Sequence, residues 1–213
     1  MSSRVLAVIS SLALGACSVF GVRDGTEEPK FDVIGHVGGV EIRQYGARIA
    51  AETAVEGDEI AARSEGFRRL AGYIFGGNTT GAKVAMTAPV AQSSATISSA
   101  TIAMTAPVSQ DRDAEGRWVV RFFMPAQYTM ATLPVPNDAR VKLVEVPPAT
   151  MAVLRFSGGI GADTVASREA ELLTALKQGD WQPQGVALAW FYDPPWTIPA
   201  LRRNEVAVAV MRP

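Results

Sequence analysis

Val40-Glu41-Ile42-Arg43-Gln44-Tyr45 leads to Ala54-Val55-Glu56-Gly57, and 101 residues further along Val141-Lys142-Leu143 leads to Arg155-Phe156-Ser157-Gly158. This pair of stretches decides the fold. Glu41 to Tyr45 alternates as a half-buried strand does, and Arg48 to Val55 and Thr150 to Phe156 are short apolar runs. A helical segment follows each copy. In the first, Asp58 is placed as an N-cap, and Ile60, Phe67, Leu70, Ala71 and Ile74 recur mostly at helical spacing up to about Phe75, where Gly76-Gly77-Asn78 stops the helix. The second spans about Asp163 to Lys177 and ends at Gly179. Beyond the helices, Val84-Ala85-Met86 corresponds to Leu188-Ala189-Trp190 and Ile102-Ala103-Met104 to Val206-Ala207-Val208, both 104 residues apart. Trp118 to Met124, aromatic and β-branched between Gly116 and Pro125, is another strand signal. The expectation is an α+β domain: two strand–strand–helix–strand–strand units related by a pseudo-twofold axis. Their antiparallel strands, about eight, curl toward a distorted β-barrel flanked by two helices.

Composition narrows the function. The chain has 213 residues, 48% hydrophobic and 19% charged, enough to bury the core of one domain behind a short leader. A net charge of −1 argues against a nucleic-acid partner, which needs a basic field. One cysteine excludes an internal disulfide, and one histidine, His36, excludes a Cys/His zinc cage or a site with several His ligands. No phosphate-binding glycine loop and no H-E-x-x-H motif occur, and the carboxylates are scattered, so no convincing catalytic set is present and an enzyme is not expected.

The N-terminus reads as an address. Arg4 precedes an apolar run from Val5 to Leu14, and Leu14-Gly15-Ala16-Cys17 follows. A positive end, a short apolar run and small residues at the cut describe a secretory signal peptide, and the run is too short to span a bilayer. Leu-Gly-Ala-Cys also resembles the lipobox of bacterial lipoproteins. That resemblance implies a signal peptide over 1–16 and lipidation of Cys17. Residues 17–30 are then a lipidated tether, with the domain at 31–213. Ser18 after the cysteine resembles the outer-membrane sorting pattern, so the expected location is the outer membrane, facing the periplasm.

Five motifs carry a family resemblance. Val84-Ala85-Met86-Thr87-Ala88-Pro89-Val90, Glu41-Ile42-Arg43-Gln44-Tyr45-Gly46, Tyr73-Ile74 with Gly77-Asn78, Phe123-Met124-Pro125 with Tyr128, and Asp193-Pro194-Pro195 with Arg202-Arg203-Asn204-Glu205-Val206 resemble, in order, segments of the SOUL heme-binding proteins. The resemblance spans about Phe31 to Arg212. It implies non-covalent binding of heme or a related porphyrin against the first helix, at Phe67, Leu70, Ala71 and Ile74, and at the loop residues Trp196 and Thr197. Arg63 and Arg68, or Arg202 and Arg203, are placed to meet the propionates. Where a relative has an axial histidine this chain has Gln44, a poor iron ligand; His36, Met86, Met104 and Tyr73 are the other candidates, and the axial ligand stays open.

Other readings stay beside it. Met86-Thr87-Ala88-Pro89 and Met104-Thr105-Ala106-Pro107 read as paired strand ends rather than a duplicated functional loop. Ser93 to Ser99 reads as a polar hairpin connection. The fold also resembles gyrase-inhibitor and multidrug-sensor modules, which leaves open another hydrophobic ligand, or a hydrolase using a pocket carboxylate such as Glu65 or Glu171.

Overall fold

The computed structural model describes residues 26–93, 117–194 and 196–213. In chain order the elements are β1 (Phe31–Val37), β2 (Val40–Tyr45), β3 (Arg48–Val55), α1 (Glu59–Ile74), β4 (Val90–Ser93), β5 (Trp118–Phe123), β6 (Lys142–Val146), β7 (Ala149–Phe156), α2 (Ala162–Leu176), β8 (Gln182–Phe191), a 3₁₀ turn (Pro199–Leu201) and β9 (Asn204–Met211). The domain is α+β. Its strands form one antiparallel sheet in the order β1-β2-β7-β9-β8-β4-β5-β3-β6.

Asp58 caps α1 as its sequence position predicts, its carboxylate accepting from the N–H groups of Ile60 (3.1 Å) and Ala61 (2.9 Å). The expected strand at Val84–Met86 is not one. The strand lies six residues later at Val90–Ser93, where Ala91 pairs with Trp190. Pro89 offers no N–H to a ladder, and just before it Thr87 is buried and its hydroxyl donates to Phe123 O. The strand expected at Ile102–Met104, and Met104–Pro107, lie outside the described residues.

β2 and β3 occupy the second and eighth places in the sheet, yet only Gly46 and Ala47 separate them in the chain. Laid flat, six strand spacings span about 29 Å. The three chain steps from Tyr45 to Arg48 reach at most about 11 Å. The sheet is therefore strongly curled. Among the described residues it does not close: β1 and β6 are its two edges, so they form a curled open sheet and not the expected barrel. Both helices pack on one face. α1 covers β3 and β5, sealing Leu70, Tyr73 and Ile74 against Ala51, Val120 and Phe122. Gly66 permits this close approach, since a Cβ there would meet Val120 Cγ2 at 2.5 Å. α2 covers β2, β7, β8 and β9 through Val165, Leu172 and Leu176. The opposite face, buried by the curl, gathers Tyr45, Phe123, Met151, Val153 and Trp190.

The chain just ahead of β1 packs on the domain. Glu27 O accepts from the Ala88 N–H at 3.0 Å, and Glu28 pairs with Arg203 at 3.0 Å, so these two residues are docked on the domain. Cys17 and the leader lie outside the described residues. No helix among the described residues is long and apolar enough to cross a membrane.

Candidate functional site

α1 has an apolar stripe that its core face does not use. Ile60, Phe67 and Ala71 follow one another at helical spacing, and Phe75, the C-cap residue, extends the row. Phe67 is 41% exposed, with its ring edge against Phe122 at 5.3 Å between centroids. Ala71 is half-buried. Leu70 and Ile74, three and seven residues on from Phe67, adjoin this stripe on its inner side and are buried in the core.

The loop residues are split too. Trp196 is 64% exposed, whereas Thr197 is fully buried; its N–H donates to Pro194 O (3.0 Å) and its carbonyl accepts from Arg202 Nε (2.8 Å). Helix and loop grip the same turn: Arg63 donates to Ile160 O at 2.9 Å, and the Gly158 N–H donates to Pro199 O at 2.9 Å.

Arg63 is a brace. It also donates to Gln92 Oε1 (2.6 Å) and Glu59 Oε1 (2.7 Å) and stacks over the Phe191 ring at 4.0 Å. Arg203 is held by Glu28 and Glu205. Arg68 is the surface cation beside the stripe, its side chain 73% exposed and paired with Glu65.

The ligand candidates are dispersed. Gln44 is exposed on β2, which packs under α2 rather than α1. His36 is exposed on edge strand β1, and the Tyr73 hydroxyl donates to Pro134 O at 2.9 Å. Met86 is exposed, and Met104 lies outside the described residues. Among the described residues no group of three or more His, Cys, Asp or Glu is placed to hold a metal ion.

Elsewhere among the described residues are cavities of which two stand out, and none of the seven expected binding residues lines either one. The larger, about 240 Å³, lies between the N-terminal ends of α1 and α2, with Glu59, Asp163 and Glu169 among its walls and Gln92, Trp118 and Ala189 beside them. Burial and the neighbouring Glu59 charge push the Glu169 carboxyl above its ordinary pKa. Glu65 and Glu171, the carboxylates suspected from sequence, are tied to Arg68 and Arg69 and to Arg168 respectively. Glu169 had a signal of its own: Val165, Leu172 and Leu176 form the buried stripe of α2, and Glu169 interrupts it four residues after Val165.

The family model for the SOUL heme-binding protein matches residues 26–209. The chain is a member of the SOUL family. No curated protein matches it. Among solved structures, this SOUL chain is similar to the C-terminal domain of EcmrR, with a TM-score of 0.58 at 9% identity over 82% of this chain and 98% of that one. It is also similar to EcmrR in a DNA complex, with a TM-score of 0.57 at 9% identity over 82% of this chain, but it spans only 57% of that chain. A hydrolase from Listeria innocua is similar with a TM-score of 0.50 at 14% identity, over 81% of this chain and 91% of that one. At such identities the likeness concerns the fold alone.

Several SOUL motif residues serve the framework. Arg43 of the first-strand motif holds Glu205 of the last (2.9 Å), and Asn78 Nδ2 ties the end of α1 by donating to the carbonyls of Tyr73 (3.1 Å) and Ala82 (2.7 Å).

Proposed function

We propose that this SOUL protein binds heme or a related tetrapyrrole on the outer stripe of α1, as a non-enzymatic carrier, buffer or sensor. The observation that carries the reading, together with family membership, is Phe67. It is a large apolar ring left half in solvent, held in position by Phe122, at the exposed edge of a helix face whose inner side is already buried. A porphyrin is a wide apolar plate and needs such a wall. Trp196 is the second wall in this reading, and Arg68 takes a propionate. Covering about 300 Å² of apolar surface at about 25 cal/mol/Å² gives about 7 kcal/mol before the losses of association, so micromolar affinity is expected without a strong axial ligand.

Anchoring belongs to the same proposal. Cys17 carries the lipid and 17–26 spans from the membrane to the docked residue Glu27. The protein faces the periplasm from the outer membrane. The pseudo-twofold relation between the halves is supported by the strand order. β3 lies between β5 and β6 as β7 lies between β9 and β2, with β4 and β8 adjacent at the middle.

The acidic cavity favours a second reading. Its carboxylates repel propionates, so it is unsuited to heme. It suits a smaller hydrophobic compound carrying positive charge, or a hydrolytic role for Glu169. Titration with hemin and, in parallel, iron-free protoporphyrin separates the readings. Saturable one-to-one Soret changes that Phe67→Ala weakens support the first; no saturation with either compound rejects it.

A further inference from the structure

Arg43, Arg48 and Arg121 are on the sheet face turned away from the helices. Two meet carboxylates there: Arg43 pairs with Glu205 at 2.9 Å and Arg121 with Glu52 at 2.6 Å. Arg48 has no carboxylate within ion-pair distance among the described residues. Its guanidinium lies over the rings of Tyr45 (4.5 Å) and Phe123 (5.0 Å), and its Nε, shut off from solvent, has no acceptor. Trp190, 2% exposed, also has its indole N–H buried without an acceptor, and its ring stands edge-on to Tyr45 at 5.7 Å.

These two donors belong to residues that line the same small cavity, about 10 Å³, which holds about one sphere of water size. Glu28 also reaches its wall, but both its carboxylate oxygens accept from Arg203 at 3.0 Å. A buried N–H without an acceptor is costly, and a desolvated cation without a counter-charge more so. A water would accept from the donors and leave the charge uncompensated. A monovalent anion does both.

We propose that this cavity is a halide-sized anion site, in which one ion accepts from Trp190 Nε1 and Arg48 Nε and neutralises the Arg48 guanidinium. The ion bridges the start of β3 and the end of β8 beside the end of β2, so it clamps the curl of the sheet. The site is independent of the heme reading.

The test is thermal denaturation of the full chain in detergent at fixed ionic strength, with bromide replacing gluconate, an anion too large for the cavity. A site-bound ion raises the midpoint along a saturating curve. Arg48→Gln is expected to abolish that saturating part. Trp190→Phe keeps the charge and the ring and loses one donor, so half-saturation moves to about tenfold higher bromide. In crystals grown with bromide, an anomalous peak is expected between Arg48 and Trp190. An unchanged midpoint across the series, unchanged half-saturation in Trp190→Phe, or a water at that position without anomalous signal overturns the proposal.

Discussion

The guanidinium of Arg43 and the carboxylate of Glu205, 162 residues apart in the chain, meet as a two-pronged ion pair at 2.9 and 3.2 Å, both groups buried. The Tyr192 hydroxyl donates to the same carboxylate at 2.7 Å, and Arg203 donates to it at 3.0 Å. Glu205 is thus the node joining β2, the end of β8 and β9 on the inner face of the curl.

Removing it leaves two arginines without their shared partner. Glu205→Ala is expected to destabilise the domain by about 3–5 kcal/mol, measured by urea denaturation. Burial pushes the Glu205 carboxyl up, but the hydrogen bond and charge of Arg43, helped by Tyr192 and Arg203, outweigh it and hold the pKa below its ordinary value. A depressed carboxylate contributes stability that is present above its unfolded pKa, about 4.3, and is lost as pH falls through the lower folded value. The wild type should therefore lose stability below about pH 4 more steeply than Glu205→Gln. Parallel acid profiles for the two proteins contradict the assignment.

Phe67 and Leu70 are neighbours on one helix, but Leu70 is fully buried and Phe67 is 41% exposed, so their truncations should separate. Phe67→Ala is expected to cost about 1 kcal/mol of stability while weakening porphyrin affinity about tenfold. Leu70→Ala, at a fully buried position, should cost about 2–5 kcal/mol. Denaturation and Soret titration of both variants check this; an unweakened Phe67→Ala removes the stripe from the site.

Glu169 has a raised pKa, so its charged form opposes folding. That penalty is absent below the unfolded pKa and grows as pH rises through the folded one. Glu169→Gln should stabilise the protein at pH 7 by a modest amount, about 0.5 kcal/mol given its partial exposure, and leave stability at pH 3 unchanged. If the variant is destabilised at pH 7, the carboxylate has a partner in the folded protein.

Cys17→Ser removes the only thiol that can carry a lipid. The variant is expected in the soluble fraction after cell lysis, where the wild type sediments with membranes. Retention in the membrane fraction contradicts lipid anchoring.

What the sequence disclosed follows what each residue does locally. Asp58 marks the start of α1 because N-capping involves only the next three residues, and the observed cap is the one its position predicts. β2, β3 and β7 show as alternating or apolar runs ending at turns. The third strand of the first half was misplaced because Val84-Ala85-Met86 looks β-like, while Thr87 and Pro89, through a hydrogen bond to a distant strand and a missing N–H, delay pairing until Val90. The curl is likewise non-local. It follows from a two-residue link between strands far apart in the sheet, and only the strand order reveals it.

Among the binding residues that the SOUL resemblance implies, helical periodicity puts Phe67, Leu70, Ala71 and Ile74 on one apolar arc and cannot tell its buried side from its exposed edge. Phe67 and Leu70 both satisfy a helical repeat, and only the depth of burial distinguishes them: Leu70 is sealed in the core, while Phe67 rests on Phe122 at the core's margin and stays 41% exposed. Arg63 looked available for a propionate because its partners, Gln92 and Ile160, come from elements distant in sequence.

The measurement closest to the central claim is a hemin titration of this protein followed at the Soret band, with Phe67→Ala beside it. The account predicts saturable one-to-one binding in the micromolar range, and a weaker curve for the variant with its fold intact. Absence of saturation, or identical curves for the two proteins, contradicts a tetrapyrrole site on the outer stripe of α1.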